Sequence, residues 1–176
     1  RCLHTYPLAF QFFASRYAAG QRLVVSSVRQ VPNECWPAEL KCRSRMHYFL
    51  ADREARGRDP AARAVLLDRD GYVLEASTAN LVFYFEGEGL VSPPREKILP
   101  GISVAVLSAL AAKLGVACFH RDIRPEEAAR ADEVFLTSTS PCLLPCVSWD
   151  DQPIGTGKPG PLYERLLSEW SARVGI

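Results

Sequence analysis

Four short segments carry residue types that could do chemistry together. Lys41, one of four lysines among 21 basic residues, follows an extended loop and opens a run of helical composition. A lysine amine is a nucleophile toward aldehydes if part of it is deprotonated. Glu75 lies in Val73-Leu74-Glu75-Ala76, an apolar run followed by the small residues Ser77-Thr78-Ala79 and by Asn80. Leu99-Pro100-Gly101-Ile102-Ser103 precedes an apolar helical run, and helix-start amides with a hydroxyl form a cradle for phosphate. Thr137-Ser138-Thr139-Ser140 ends another strand-like run with four hydroxyls. Singly, each has an ordinary reading: a surface lysine, a strand-end glutamate, a helix start and a polar turn. An amine, a carboxylate and two hydroxyl-bearing, amide-rich turns in one chain make a set that the ordinary readings leave unexplained.

In order and spacing the segments resemble the class IV aminotransferases, the family of branched-chain aminotransferases, D-amino acid aminotransferases and aminodeoxychorismate lyases. The resemblance covers roughly residues 20 to 170 and implies pyridoxal 5'-phosphate as cofactor. It implies that Lys41 is the Schiff-base lysine, which also carries a proton between the substrate Cα and the cofactor C4′. Glu75 would keep the pyridine nitrogen protonated so that the ring can take up electrons. Ile102 and Ser103 would contact the phosphate, Leu99 would pack against the ring, and Thr139 would add a hydroxyl. Ser77, Thr78 and Ala79 would line the cofactor or substrate side, with Asn80 holding the turn. Ser140 stands where the family offers a backbone amide to the substrate carboxylate.

Departures from the family pattern matter as well. Branched-chain members place a tyrosine five residues after the lysine to bond the cofactor's phenolic oxygen; position 46 here is methionine, and Tyr48 is the candidate. Arg29 is a candidate substrate or cofactor contact, with a structural salt bridge as its alternative. The implied reaction moves an amino group between an amino acid and a 2-oxo acid. Two other readings stay open: β-elimination of the aminodeoxychorismate lyase kind, and a cofactor-domain fragment or degenerate homologue without catalysis. Family members carry about a hundred further residues before this region, a typical size for a small domain, and a phosphate-clamping arginine belongs to that part. The chain therefore reads as a truncated homodimer subunit, with residues 1–20 a remnant or linker and 21–176 the pyridoxal phosphate-binding domain.

The elements that must position these residues are legible in the hydrophobic pattern. Helices are predicted over Tyr6 to Tyr17, Ala38 to Arg56, Gly101 to Leu114, Pro125 to Ala131 and Pro161 to Arg173. Strands are predicted over Arg22 to Val31, Arg63 to Asp68, Tyr72 to Ala76, Asn80 to Phe85, Leu90 to Ser92, Val116 to Ile123, Glu133 to Thr137 and Leu143 to Trp149. Arg69-Asp70-Gly71 signals a hairpin, and Gly115 a helix stop. The fold class is α+β, a curved and largely antiparallel sheet with flanking helices, resembling the large domain of fold type IV pyridoxal phosphate enzymes.

Composition narrows the partners. A net charge of +1 from 21 basic and 20 acidic residues leaves no basic stripe for nucleic acid. No apolar run reaches membrane-spanning length. Six cysteines, at positions 2, 35, 42, 118, 142 and 146, lack the paired spacing of a zinc site, and His4, His47 and His120 form no metal-binding pattern. Reduced thiols point to a cytoplasmic protein whose partners are small amino and oxo acids.

Overall fold

The computed structural model describes residues 3, 5, 7 and 10 to 175. Among these residues five α-helices, α1 (Gln11–Ala19), α2 (Met46–Arg58), α3 (Ile102–Lys113), α4 (Pro125–Ala128) and α5 (Pro161–Val174), surround nine strands. The strands are β1 (Gln21–Val25), β2 (Ala62–Leu67), β3 (Val73–Ala76), β4 (Ala79–Phe85), β5 (Gly89–Ser92), β6 (Cys118–His120), β7 (Glu133–Ser138), β8 (Cys142–Trp149) and β9 (Gln152–Pro153).

The sheet curves until it meets itself. Strands β3, β2, β1, β8, β7 and β4 are neighbours in that order, and β4 also pairs with β3, so six strands close into a ring. β5 and β6 extend from β4, and β9 hangs from β8. Six of the nine pairings are antiparallel, whereas β1 runs parallel to both of its neighbours and β5 to β6. The parallel β1–β2 pair is joined by a long connection that carries α2, as parallel neighbours require.

Alternation along the strands builds the interior and the helix-covered faces at once. Leu23, Val65, Leu81, Phe83, Val134, Leu136 and Leu144 fill the ring. Their sequence neighbours Val82, Phe135 and Leu143 point outward against Leu107 and Leu110 of α3 and Leu162, Leu166 and Trp170 of α5. Val24, Ala64 and Leu66 likewise meet Ala51 and Ala55 of α2, where the small side chains admit close approach. The segment expected as a remnant or linker contributes too: Phe13 and Tyr17 of α1 pack against the ring core, and the Tyr17 hydroxyl donates to the Pro141 carbonyl at 2.7 Å. The first part of the predicted Tyr6 to Tyr17 helix lies largely outside the described residues.

Three elements differ from expectation for local reasons. The second helix begins at Met46, not near Ala38. Ahead of it the Leu40 carbonyl accepts the Cys42 amide at 2.7 Å, and the Ser44 amide turns to Cys42 Sγ at 3.3 Å, so these groups are spent in tight turns. Lys41 therefore sits in irregular chain five residues before the helix, which corrects the expected helix-start position. Strand β1 stops at Val25 because the Ser27 amide and the Ser26 and Ser27 hydroxyls are drawn to the Glu54 carboxylate. Strand β6 keeps only Cys118–His120 of the predicted eight residues. The 69–71 hairpin forms as read, with Gly71 at φ 83°.

Candidate active site

Strand register brings the acidic segment and the hydroxyl segment side by side. Glu75 on β3 faces Asn80 on β4, and Asn80 faces Thr137 on β7. In β4 and β7 the inward positions are Leu81, Phe83, Val134 and Leu136, so Asn80 and Thr137 share the outer face. This row floors a cleft of about 670 Å³ on the outside of the ring.

Glu75 is 4% exposed and surrounded by donors. Its Oε1 accepts the Asn80 amide nitrogen at 2.8 Å and the Leu99 backbone N–H at 3.0 Å. Its Oε2 accepts longer contacts, from Gln30 Nε2 at 3.3 Å and the Tyr48 hydroxyl at 3.5 Å. Burial pushes the carboxyl up from 4.5 to about 7, a rise that the Leu99 amide, the Tyr48 hydroxyl and the Lys41 charge only partly offset. Among the described residues no cation is bonded to it, and a buried carboxylate in that setting favours a ligand that brings one.

Lys41 lines the same cleft, exposed and on the loop that precedes α2, and its charge acts on Glu75. Next to it stands an aromatic wall. The His47 and Tyr48 rings lie 4.1 Å apart between centroids, and Trp36 lies 6.2 Å from His47. Burial lowers the His47 pKa and raises that of Tyr48, with the Glu75 charge adding to the effect. Met46, five residues after Lys41, is 65% exposed and does not line the cleft. Tyr48 occupies the wall instead.

The remaining rim comes from two turns and a helix start. Leu99, Gly101, Ile102 and Ser103 line the cleft where α3 begins; Ser103 is 7% exposed, whereas the Ile102 side chain is 78% exposed. Thr78, Thr139 and Ser140 line the facing rim. The two turns are tied by the Ser138 hydroxyl, which donates to the Thr78 carbonyl at 3.2 Å. Thr78 holds φ at 62°, a strained value for a β-branched residue of the kind that persists where surrounding structure over-determines it.

Nine of the ten residues singled out in the sequence thus line one cleft. Arg29 does not: it is exposed, and its neighbour Gln30 turns inward to Glu75 and Tyr48. Ser77, expected on the same side as Thr78, instead bonds Asp52 of α2 at 2.7 Å, away from the cleft. Asn80, expected to hold the turn, bonds Glu75 and the Leu99 carbonyl with its side chain.

A family profile described as "Amino-transferase class IV" matches residues 3–149. The chain belongs to the class IV aminotransferases. Among curated class IV relatives, the "Probable branched-chain-amino-acid aminotransferase" of Aquifex aeolicus (strain VF5) is 36% identical over 151 residues, 84% of this chain and 48% of its own length. The "D-alanine aminotransferase" of Bacillus licheniformis is 33% identical over 63% of this chain and 39% of its own. The chain spans about half the length, or less, of these relatives. Among solved structures, the T.th. branched-chain amino acid aminotransferase complexed with N-(5'-phosphopyridoxyl)-L-glutamate superimposes with a TM-score of 0.83 at 31% identity, over 90% of this chain and 52% of that one. The Escherichia coli branched-chain amino acid aminotransferase gives 0.84 at 28% identity, over 93% and 53%.

Two cleft residues of this class IV chain have no role of their own in the sequence reading: Thr137, named there only within its hydroxyl segment, and Gln30. Thr137 Oγ1 and Gln30 Oε1 are buried side-chain oxygens without a hydrogen-bond partner among the described residues, and both residues line the cleft. Thr137 is within reach of sequence reasoning, since inward Val134 and Leu136 put every odd residue of β7 on the outer face. Gln30 carries no signal, because it follows an irregular stretch in which alternation no longer tells direction.

Proposed function

We propose that this chain is the cofactor-bearing part of a pyridoxal phosphate-dependent aminotransferase that moves an amino group between an amino acid and a 2-oxo acid. One observation carries the reading: a buried Glu75, with no cation bonded to it among the described residues, lines a single cleft together with Lys41 and a hydroxyl-bearing helix start. The donor set fits a phosphorylated pyridine. Glu75 offers an acceptor to a ring N–H, Ser103 and the first amides of α3 offer donors to phosphate, and Thr137 Oγ1 is a buried hydroxyl still in need of a partner.

When bound, pyridoxal phosphate supplies a protonated ring that takes up the electrons left on a substrate Cα. Lys41 would hold it covalently through Nζ and, once displaced by substrate, act as the base that moves the Cα proton. Glu75 keeps the ring nitrogen protonated by remaining ionised beside it. Tyr48 and the Trp36–His47 wall shield one side from water, and the Thr78 and Thr139–Ser140 rim is the side open to a substrate carboxylate. As a subunit of the whole protein, the chain is expected to pair with a second copy.

The test is a spectral titration of the full-length protein with pyridoxal phosphate, followed by borohydride reduction. A band near about 410–430 nm, made permanent by reduction and missing in Lys41→Ala, is the expected result for lysine-linked cofactor. Analysis of products from an amino acid and a 2-oxo acid then separates amino transfer from β-elimination. Absence of the band in the parent protein would overturn the proposal.

A further inference from the structure

The ring-nitrogen contact and the phosphate contact proposed above lie on different elements, β3 and the start of α3. Asn80 touches both. Its Nδ2 donates to Glu75 Oε1 at 2.8 Å and to the Leu99 carbonyl at 2.9 Å. Its Oδ1 packs so closely over Gly101 that a Cβ there would overlap it. The residue is 4% exposed and is held by ladder pairing on both sides, to Glu75 and to Thr137. A side chain so placed has no freedom to serve one neighbour without fixing the other.

Resting on the pyridoxal phosphate reading, we propose that Asn80 is a positioning residue that couples the two ends of the cofactor site. It has two jobs. By taking Glu75 Oε1 together with the Leu99 amide, it leaves Oε2 as the oxygen that meets the ring nitrogen, displacing the longer Gln30 and Tyr48 contacts. By gripping Leu99 and seating on Gly101, it sets the α3 start at a fixed distance from that oxygen, so that one rigid ligand can satisfy both. The requirement explains the glycine at 101: any side chain there would push the amide off the carboxylate. The ligand class that profits is a planar, ring-nitrogen cation carrying a phosphate on a short arm.

The coupling is read as a ratio, namely the Kd of unphosphorylated pyridoxal divided by that of pyridoxal phosphate, measured by spectral titration on the full-length protein. Asn80 is assigned no direct contact with the phosphate, yet Asn80→Ala is expected to shrink this ratio about tenfold, because the phosphate cradle is no longer aligned with the ring anchor. Asn80→Asp, which keeps the shape but removes the shared donor, is expected to do the same. It is the check if the alanine variant folds poorly, with folding monitored by circular dichroism. Gly101→Ala should weaken pyridoxal phosphate binding about tenfold in the parent but less than about threefold in the Asn80→Ala background, since the clash then has no partner. Equal weakening of both ligands, or additive effects of the 80 and 101 changes, would overturn the coupling while leaving the cofactor reading intact. A parent protein that binds neither ligand would overturn both.

Discussion

Two buried glutamates on strands of the same ring make opposite uses of one chemistry. Glu133, at the start of β7, spends both oxygens on the first turn of α5, accepting the Leu162 N–H at 2.8 Å on Oε1 and the Tyr163 N–H at 2.8 Å on Oε2. Gly160 lets the carboxylate approach, since a Cβ there would overlap it. Glu75 spends only Oε1 on strong donors and leaves Oε2 to longer contacts at the wall of a cleft. One carboxylate is closed and anchors a helix; the other is half open and faces a cleft. Burial alone therefore does not mark the functional acid. The uncommitted oxygen does.

The strongest break of this contrast is Glu75→Gln. The amide keeps the size of the side chain, and its oxygen can still accept from Asn80 and Leu99, so folding should survive. What it loses is the anion proposed to face the ring nitrogen. Amino transfer is expected to fall by about 10²- to 10³-fold, the scale for removing one electrostatic stabiliser of developing charge, measured as kcat against parent protein of equal cofactor content. A loss under about threefold would remove Glu75 from the chemistry.

A second break uses pH. Burial raises the Glu75 carboxyl from 4.5 to about 7 in the folded chain. A folded-state pKa above the unfolded one means that the fold binds the proton more tightly than the unfolded chain. The contribution is therefore full below the unfolded value and is lost as pH rises through the folded one. Across that window, cofactor-free protein should lose roughly 3 kcal/mol. Glu133 is raised by burial in the same direction, so Glu75→Gln should flatten only the Glu75 share, seen in denaturant melts between about pH 5 and about pH 8. Added pyridoxal phosphate should flatten it too, by supplying the missing cation. A parent that gains stability over this range would contradict the buried setting without a bonded cation.

Glu133→Ala is the matching break on the structural side. Two N–H groups at the buried start of α5 lose their acceptors, at a cost of about 2–3 kcal/mol. The cofactor spectrum of the protein that remains folded should be unchanged. A spectral shift without loss of stability would reverse the roles assigned to the two acids.

Much of this division is legible in the residues, and the limits are physical. Alternation in β2, β4, β7 and β8 follows the two-residue period, so the ring core and its outer faces can be read from Leu81, Phe83, Val134 and Leu136. Glu75, Ser103 and Thr139 stand out because their segments end or begin regular elements. The stretch from Ser26 to Arg45 misleads, reading as strand at one end and helix at the other, because its backbone groups are taken by Glu54, by Cys42 Sγ and by tight turns that propensity does not encode. That is why sequence points to Arg29 where Gln30 turns inward. The partnership of Asn80 with Gly101 is invisible for a different reason: it joins residues 21 positions apart, and only packing reveals it.

The smallest effect sharpens the comparison most. Lys41 is exposed, lies in irregular chain and makes no hydrogen bond or ion pair of its side chain with the described residues, unlike either glutamate. Lys41→Ala should therefore leave the stability of cofactor-free protein within about 0.5 kcal/mol of the parent, while abolishing covalent cofactor attachment. The nucleophile would then be a residue that the fold positions but does not depend on, whereas the two buried acids are part of the frame. Should Lys41→Ala instead destabilise the cofactor-free chain by about 1 kcal/mol or more, beyond the usual reach of a surface substitution, the loop would be part of that frame, and the division between a rigid floor and an independent nucleophile would fail.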